Sequence, residues 1–333
     1  MRILWVHNVP ANVESAGQWM FSLAGAVQNL SVHVDLHATG SLRGVAKLAA
    51  ARKRVTELSA RYDLVHAQFG SACAVVASRA KCPRIVSLRG TDLLGCDTGS
   101  LWYRMHGRAA RWMTRSSLRA YERVIVMSNR MRGELRRFHG RDRGVDVVPD
   151  GIDLTRFVPR DRMEARRELG FSDDTRPWVL FASLRADNAV KRPQLAIAAF
   201  QRAAEQHPVL VLKTISGRPH DELPLWMSAA NVLLITSTRE GWPNVVKEAL
   251  ACNVPFVSTD VSDLAAIAAA QPICTVTEAT PDALADGILR AIGAQSNNNL
   301  RNCVKSMSLP VVAERLRSIY TSTLCEVEEK SAA

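Results

Sequence analysis

The 333-residue chain contains no run of about 18 apolar residues, the length an α-helix needs to cross the hydrocarbon of a bilayer. It also lacks an export-type start. Met1-Arg-Ile-Leu-Trp-Val-His-Asn8 reads as a short first strand flanked by polar residues, not as a basic segment followed by an apolar core. These two absences predict a soluble, cytoplasmic protein. The seven cysteines, at 73, 82, 96, 252, 274, 303 and 325, are odd in number, widely spaced and without a C-x2-C pair. Neither a disulfide frame nor a zinc site is indicated. Several of them fall in apolar stretches, where a reduced cysteine serves as a small core residue. No Asp-x-Asp pair stands at a strand end, and no other metal constellation is visible. There is no internal repeat, and no low-complexity tract beyond Asn297-Asn-Asn299.

What the chain does have is length, apolar content and alternation. At 333 residues it exceeds the usual size of one core, so two domains of about 150 residues are expected, and a hydrophobic content of 47% is ample for both. Short apolar runs alternate with longer helical patterns, which is the sequence form of parallel βαβ units. Strands are predicted at 3–7, 32–37, 64–68, 85–88, 124–127 and 145–148, then at 178–182, 209–215, 232–236, 255–258 and 273–276. Helices are predicted at 17–30, 44–60, 101–120, 131–138, 194–205, 243–251, 281–292 and 311–328. Proline and glycine in Pro149-Asp-Gly-Ile-Asp153 interrupt the pattern and mark the boundary, and the stretch from Thr155 to Arg167 is polar and charged before the next strand begins. The boundaries follow as an N-terminal Rossmann-like domain at 1–152, a C-terminal one at 153–310 and a last segment at 311–333.

The most informative stretch is Ser237-Thr-Arg-Glu-Gly-Trp-Pro-Asn-Val-Val-Lys-Glu248. It follows an apolar run of strand length, turns at Gly241, and enters a helix for which Pro243 suits the first position. The free amides and dipole of such a helix start face the carboxyl end of the sheet, where open α/β folds bind anions. Glu240 on the loop is then within reach of a sugar ring, and Glu248 of ribose hydroxyls. An ordinary strand-turn-helix with a glutamate in its first turn explains the same pattern. A basic cluster, Arg185, Lys191 and Arg192, surrounds another helix start. It reads either as a solvated loop or as an anion site; cations there oppose the helix dipole, which favours the anion.

The run Glu240-Gly-Trp-Pro-Asn-Val-Val-Lys-Glu-Ala-Leu-Ala-Cys-Asn-Val-Pro255 closely resembles the E-x7-E motif of retaining GT-B glycosyltransferases of the family 4 type. Weaker similarities follow in the family's order: Asp63-Leu-Val-His-Ala-Gln68, Arg89-Gly-Thr-Asp92, Val148-Pro-Asp-Gly-Ile-Asp153 with Phe157 and Pro159, and Lys191-Arg192. The resemblance implies two facing Rossmann-like domains, with the last helix crossing back onto the first. It implies a metal-independent sugar transfer, with retention, from a nucleotide diphosphate-sugar as co-substrate to a hydroxyl of a glycan, a lipid-linked molecule or a small molecule, with no further cofactor. Glu240, Lys191 and Arg185 are then catalytic, although Leu184 occupies the aligned position of the family's arginine. Glu248, Gly241, Trp242, Pro243, Asn244 and Arg192 bind the donor. Gly17, Arg89 and Asp92 are acceptor or cleft positions. Arg89 and Gln68 stand where relatives carry histidine, His66 reads as a strand residue, and Asp92 serves equally as a turn former. Two other classes fit the architecture: a sugar-nucleotide epimerase, which needs no acceptor, and a non-catalytic binding protein. The sequence names neither base, sugar, acceptor nor oligomeric state.

Net charge is +11, from 43 Lys and Arg against 32 Asp and Glu, and arginine concentrates between Arg104 and Arg143. Within Leu101–Arg119 aromatics alternate with arginines at helical spacing, as in segments that lie on anionic membranes. With no nucleic-acid module in the sequence, the inner face of a membrane is the expected partner. The alternative turns Trp102, Met105, Trp112 and Met113 into the first domain's core.

Overall fold

The computed structural model describes residues 1–9, 17–95, 100–183, 189–294 and 299–332. The chain divides into two compact units, Met1–Gly151 together with Leu309–Ala333, and Ile152–Ser308.

The first unit runs β1 (Arg2–His7), α1 (Gln18–Gln28), β2 (His33–Ala38), α2 (Val45–Leu58), β3 (Leu64–Ala67), α3 (Ser71–Ala77), β4 (Arg84–Leu88), α4 (Thr91–Leu94), α5 (Leu101–Ser117), β5 (Arg123–Val126), α6 (Asn129–His139) and β6 (Val145–Val147). Its strands form one parallel sheet in the order β2-β1-β3-β4-β5-β6. The runs Ile3–Val6 and Leu64–Ala67 are buried throughout, as expected of strands covered on both faces. Helix starts follow simple chemistry: Ser100 accepts from the amide of Tyr103 to cap α5, and Ser128 from that of Met131 to cap α6.

The second unit contains α7 (Arg162–Glu168), β7 (Trp178–Ala182), α8 (Pro193–Gln206), β8 (Val211–Ile215), α9 (Leu223–Ala229), β9 (Val232–Ile235), α10 (Asn244–Ala251), β10 (Phe256–Thr259), α11 (Leu264–Ala270), β11 (Thr275–Thr277) and α12 (Pro281–Gly293). Its parallel sheet has the order β11-β10-β9-β7-β8. Val179, Phe181, Val232, Leu234 and Val257 of the sheet pack with Ala196, Ala199, Leu284 and Ile288 of the helices. The chain then returns to the first unit through α13 (Leu309–Ala332), which has Pro310 in its first turn. Tyr320 of this helix accepts from Trp5 Nε1 at 3.1 Å, which ties it to β1.

Three expectations need correction. The polar stretch 155–167, for which no helix is predicted, includes most of α7, capped by Asp161, and belongs to the second unit. Its Arg166 is buried, with the guanidinium over the ring of Trp178 at 4.3 Å and bonded to the carbonyls of Ala229 and Asp174 and to Asn231 Oδ1. Second, Pro243 lies just outside α10, whose first residue is Asn244. Third, the aromatic side of α5 does not form core: Trp102, Met105 and Trp112 are 57%, 59% and 69% exposed.

Candidate functional site

In the second unit the connection from β7 leads to β8 on one side, whereas that from β9 leads to β10 on the other. The loops after β7 and β9 therefore part at the carboxyl end of the sheet, leaving a crevice of the kind in which α/β folds hold ligands. Glu240 and Lys191 meet there. Lys191 Nζ donates to Glu240 Oε1 at 2.6 Å, and Ser237 Oγ donates to the same oxygen at 2.7 Å. The pair is largely but not fully covered, with side chains 21% and 17% exposed.

Short bonds knit the two loops together. The amide of Thr238 donates to Val190 O at 2.8 Å and Thr236 Oγ1 to Lys191 O at 2.6 Å. Arg192 precedes α8 with φ 49, a left-handed conformation that costs a non-glycine residue about 1 kcal/mol. Its guanidinium donates to the carbonyls of Thr236 and Ser237, at 2.5 and 3.0 Å, so this cation pins the β9 loop instead of standing free. From the next strand Thr259 Oγ1 holds Ser237 O at 2.6 Å, and Ser262 Oγ holds Gly241 O at 2.7 Å. Arg185 lies outside the described residues.

Gly241, Trp242 and Pro243 are buried and deliver the chain to α10, whose start has no side-chain cap. Two polar atoms here, Thr238 Oγ1 and Asn244 Oδ1, are buried with no hydrogen-bond partner among the described residues. Glu248, one turn into α10, is buried, and burial pushes its carboxyl up to about 7, against the pull of Lys247, Arg156 and Lys191. At neutral pH it is partly protonated and can either donate or accept.

Opposite Glu248, at 4.0 Å from its Oε1, stands Nε2 of His220. No motif or periodic pattern marks this residue, which lies in a short turn after β8.

In the first unit Arg89 follows β4, with its guanidinium 3.5 Å over the ring of Trp19. It donates to Gln68 O at 2.7 Å and Gln68 Oε1 at 2.8 Å, and forms an ion pair with Asp150. The positive charge of Arg89 is thus matched by Asp150. Asp92 accepts from the amides of Gly70, Arg89, Gly90 and Leu93, the work of a turn former. Gly17 has φ +82, and a Cβ there would lie 2.8 Å from Val9 Cγ1, so both backbone and space favour glycine. His66 is bonded to Tyr320 Oη at 2.7 Å and Ser87 Oγ at 2.8 Å, and burial lowers its pKa to about 3. It is a neutral strand residue. Among the described residues no group of three or more His, Cys, Asp or Glu could hold a metal ion, and no helix is long and apolar enough to cross a membrane.

Two family models match in succession, one described as Glycosyltransferase Family 4 over residues 16–156 and one as Glycosyl transferases group 1 over residues 180–294. The chain is 27% identical over 245 residues to the putative teichuronic acid biosynthesis glycosyltransferase TuaC of Bacillus subtilis (strain 168). That alignment takes in 68% of this chain and 61% of TuaC, so the chain spans about three fifths of its relative. Among solved structures it is similar to sucrose-phosphate synthase from Thermosynechococcus elongatus, with a TM-score of 0.79 at 18% identity over 98% of this chain and 100% of the other. It is also similar to HepE from Anabaena in complex with UDP and glucose, with a TM-score of 0.70 at 16% identity over 97% of this chain and 100% of that one.

Proposed function

We propose that the chain, which matches the models described as Glycosyltransferase Family 4 and Glycosyl transferases group 1 and has the GT-B fold of two parallel-sheet α/β domains and a C-terminal helix, transfers a sugar from a nucleotide diphosphate-sugar to an acceptor hydroxyl with retention at the anomeric carbon. The observation that carries this proposal is the Lys191–Glu240 pair in the β7/β9 crevice, beside the uncapped start of α10 and the buried Glu248. Binding of UDP and glucose by HepE, a structural neighbour, supports a nucleotide-sugar as donor.

The diphosphate lies against Lys191 and the first amides of α10 near Asn244, with Gly241, Trp242 and Pro243 shaping the turn that lets it approach. Glu248 takes the ribose hydroxyls and Glu240 orients the donor sugar. As the bond from the anomeric carbon to the diphosphate oxygen breaks, negative charge grows on that oxygen, and the ammonium of Lys191, already held in place by Glu240 and Ser237, stabilises it. The acceptor hydroxyl attacks from the leaving group's face and its proton passes to the departing diphosphate oxygen. No covalent enzyme intermediate is needed. With a cation at the leaving group, transfer proceeds without a metal. Arg185, next to this loop in sequence, is a second candidate cation. Arg192 acts through the loop it pins, and Arg89, Asp92 and Gly17 order the acceptor-side unit.

The acceptor side works at the cytoplasmic face of a membrane, on a glycan or lipid-linked acceptor. Support comes from α5, where Trp102, Met105 and Trp112 are exposed beside Arg104, Arg108 and Arg115, and from the exposed Arg130, Arg132, Arg136 and Arg137 of α6.

The test is product formation from UDP-, GDP- and ADP-sugars with and without lipid-linked and soluble glycan acceptors. Acceptor-dependent glycoside formation with release of nucleoside diphosphate supports a transferase. Release of free nucleotide and altered sugar at an equal rate without acceptor would instead make the protein a sugar-nucleotide epimerase.

A further inference from the structure

We infer that His220 is a second ligand-binding residue of the donor site: it and Glu248 hold one hydroxyl of the ribose between them, and this selects ribonucleotides over deoxyribonucleotides. This rests on the proposed nucleotide-sugar function and extends it to a residue outside the E-x7-E stretch.

The geometry sets the case. Nε2 of His220 and Oε1 of Glu248 are 4.0 Å apart, too far for a hydrogen bond to each other. An oxygen placed at an ordinary hydrogen-bond length of about 2.8 Å from both fits that separation, with the two contacts near a right angle at the oxygen. A hydroxyl suits the gap because it donates one hydrogen and accepts another, whereas a carbonyl or a phosphate oxygen could satisfy only a donor on each side. The other carboxyl oxygen of Glu248 remains for the neighbouring hydroxyl, so the pair matches a vicinal diol.

The imidazole is held for this role. Its ring packs edge-on against Phe157, centroid to centroid 5.7 Å, and Phe157 is itself buried. The adjacent Asp221, itself exposed, forms an ion pair with Arg156. Nδ1 of His220 is buried with no hydrogen-bond partner among the described residues. Burial and the nearby Arg156 lower the pKa of His220, with Asp221 and Asp153 opposing, so the ring is neutral at physiological pH. Glu248 is faced by Lys247, Arg156 and Lys191. A neutral imidazole beside a carboxyl poised near neutrality can adapt to either sense of the hydroxyl's hydrogen.

The experiment is calorimetric titration of the full chain with UDP, GDP and ADP, followed by the 2′-deoxy and 3′-deoxy forms of whichever binds most tightly. Wild type, His220→Ala and His220→Gln are compared, the last placing an amide nitrogen near the position of Nε2. His220→Ala should weaken the ribonucleotide roughly tenfold, the worth of one hydrogen bond. It should leave the affinity for one of the two deoxy forms unchanged, because the bridging hydroxyl is already missing there. His220→Gln should recover most of the loss. An equal loss by His220→Ala towards the ribonucleotide and both of its deoxy forms would overturn the inference and give the imidazole a purely structural role, and wild-type affinity in that variant would overturn it as well. If wild type binds none of the three diphosphates, the transferase proposal itself falls, and this inference falls with it.

Discussion

Replacing Glu248 by glutamine should make the protein more stable and a poorer binder of nucleotide. The carboxyl's pKa rises from 4.5 to about 7 because burial opposes its charge. Below pH 4.5 both the folded and unfolded chains hold the proton, and the group has no effect on stability. As pH rises from 4.5 to 7 the unfolded chain releases its proton first, so stability falls, and above 7 the full cost remains. A shift of this size corresponds to about 3 kcal/mol at most. Glutamine has the shape of the protonated acid and never ionises. The Glu248→Gln variant should therefore match wild type near pH 4 and exceed it at pH 8, with a melting temperature higher by about 2–4 °C per kcal/mol. Its affinity for nucleoside diphosphate should drop by about 1.5–3 kcal/mol, the value of a hydrogen bond to a charged group. Melting curves at pH 4, 6 and 8 with calorimetric titration at pH 8 decide the matter. Lower stability at pH 8 would mean the carboxylate is paired and not penalised, and unchanged affinity would remove Glu248 from the ribose.

Lys191→Ala should depress turnover at saturating donor far more than it weakens donor binding, because the ammonium acts on charge that grows as the diphosphate leaves; wild-type turnover would refute that role. Transfer should persist in excess EDTA, and complete loss restored by manganese or magnesium would show that a metal handles the leaving group. Wild type should sediment with anionic vesicles at low salt and be released by high salt, at about 1 kcal/mol per basic residue near the surface. An Arg108/Arg111/Arg115→Glu variant that binds equally well would return the arginines to a solvated helix face.

The two sheets were legible because most of their strands are short apolar runs bounded by polar turns, the inner ones buried on both faces and the edge strands β2 and β8 only in part. Helices such as α8 and α12 showed themselves by periodicity. α11, Leu-Ala-Ala-Ile-Ala-Ala-Ala, and α3, Ser-Ala-Cys-Ala-Val-Val-Ala, were missed because small residues nearly all round leave no polar face to mark a period. α7 was hidden by charge: Arg166 is buried, but its planar cation is satisfied by carbonyls and an indole that only the fold assembles. In the candidate site the E-x7-E stretch is contiguous and could be read directly. The Lys191–Glu240 bond joins residues 49 apart, and the sequence pointed to both ends without pairing them. Arg89 could be named, but not its partner Asp150, and His220 became visible only once the fold brought the turn after β8 to 4.0 Å from Glu248.

The central claim, that the β7/β9 crevice of the second unit grips a nucleotide diphosphate, is tested most directly by a crystal structure of the protein with UDP, GDP or ADP bound. The diphosphate should lie within hydrogen-bond reach of Lys191 Nζ and the first amides of α10, with the ribose diol on Glu248. A nucleotide bound elsewhere, with Lys191 still closed on Glu240 and Glu248 untouched, would contradict the account.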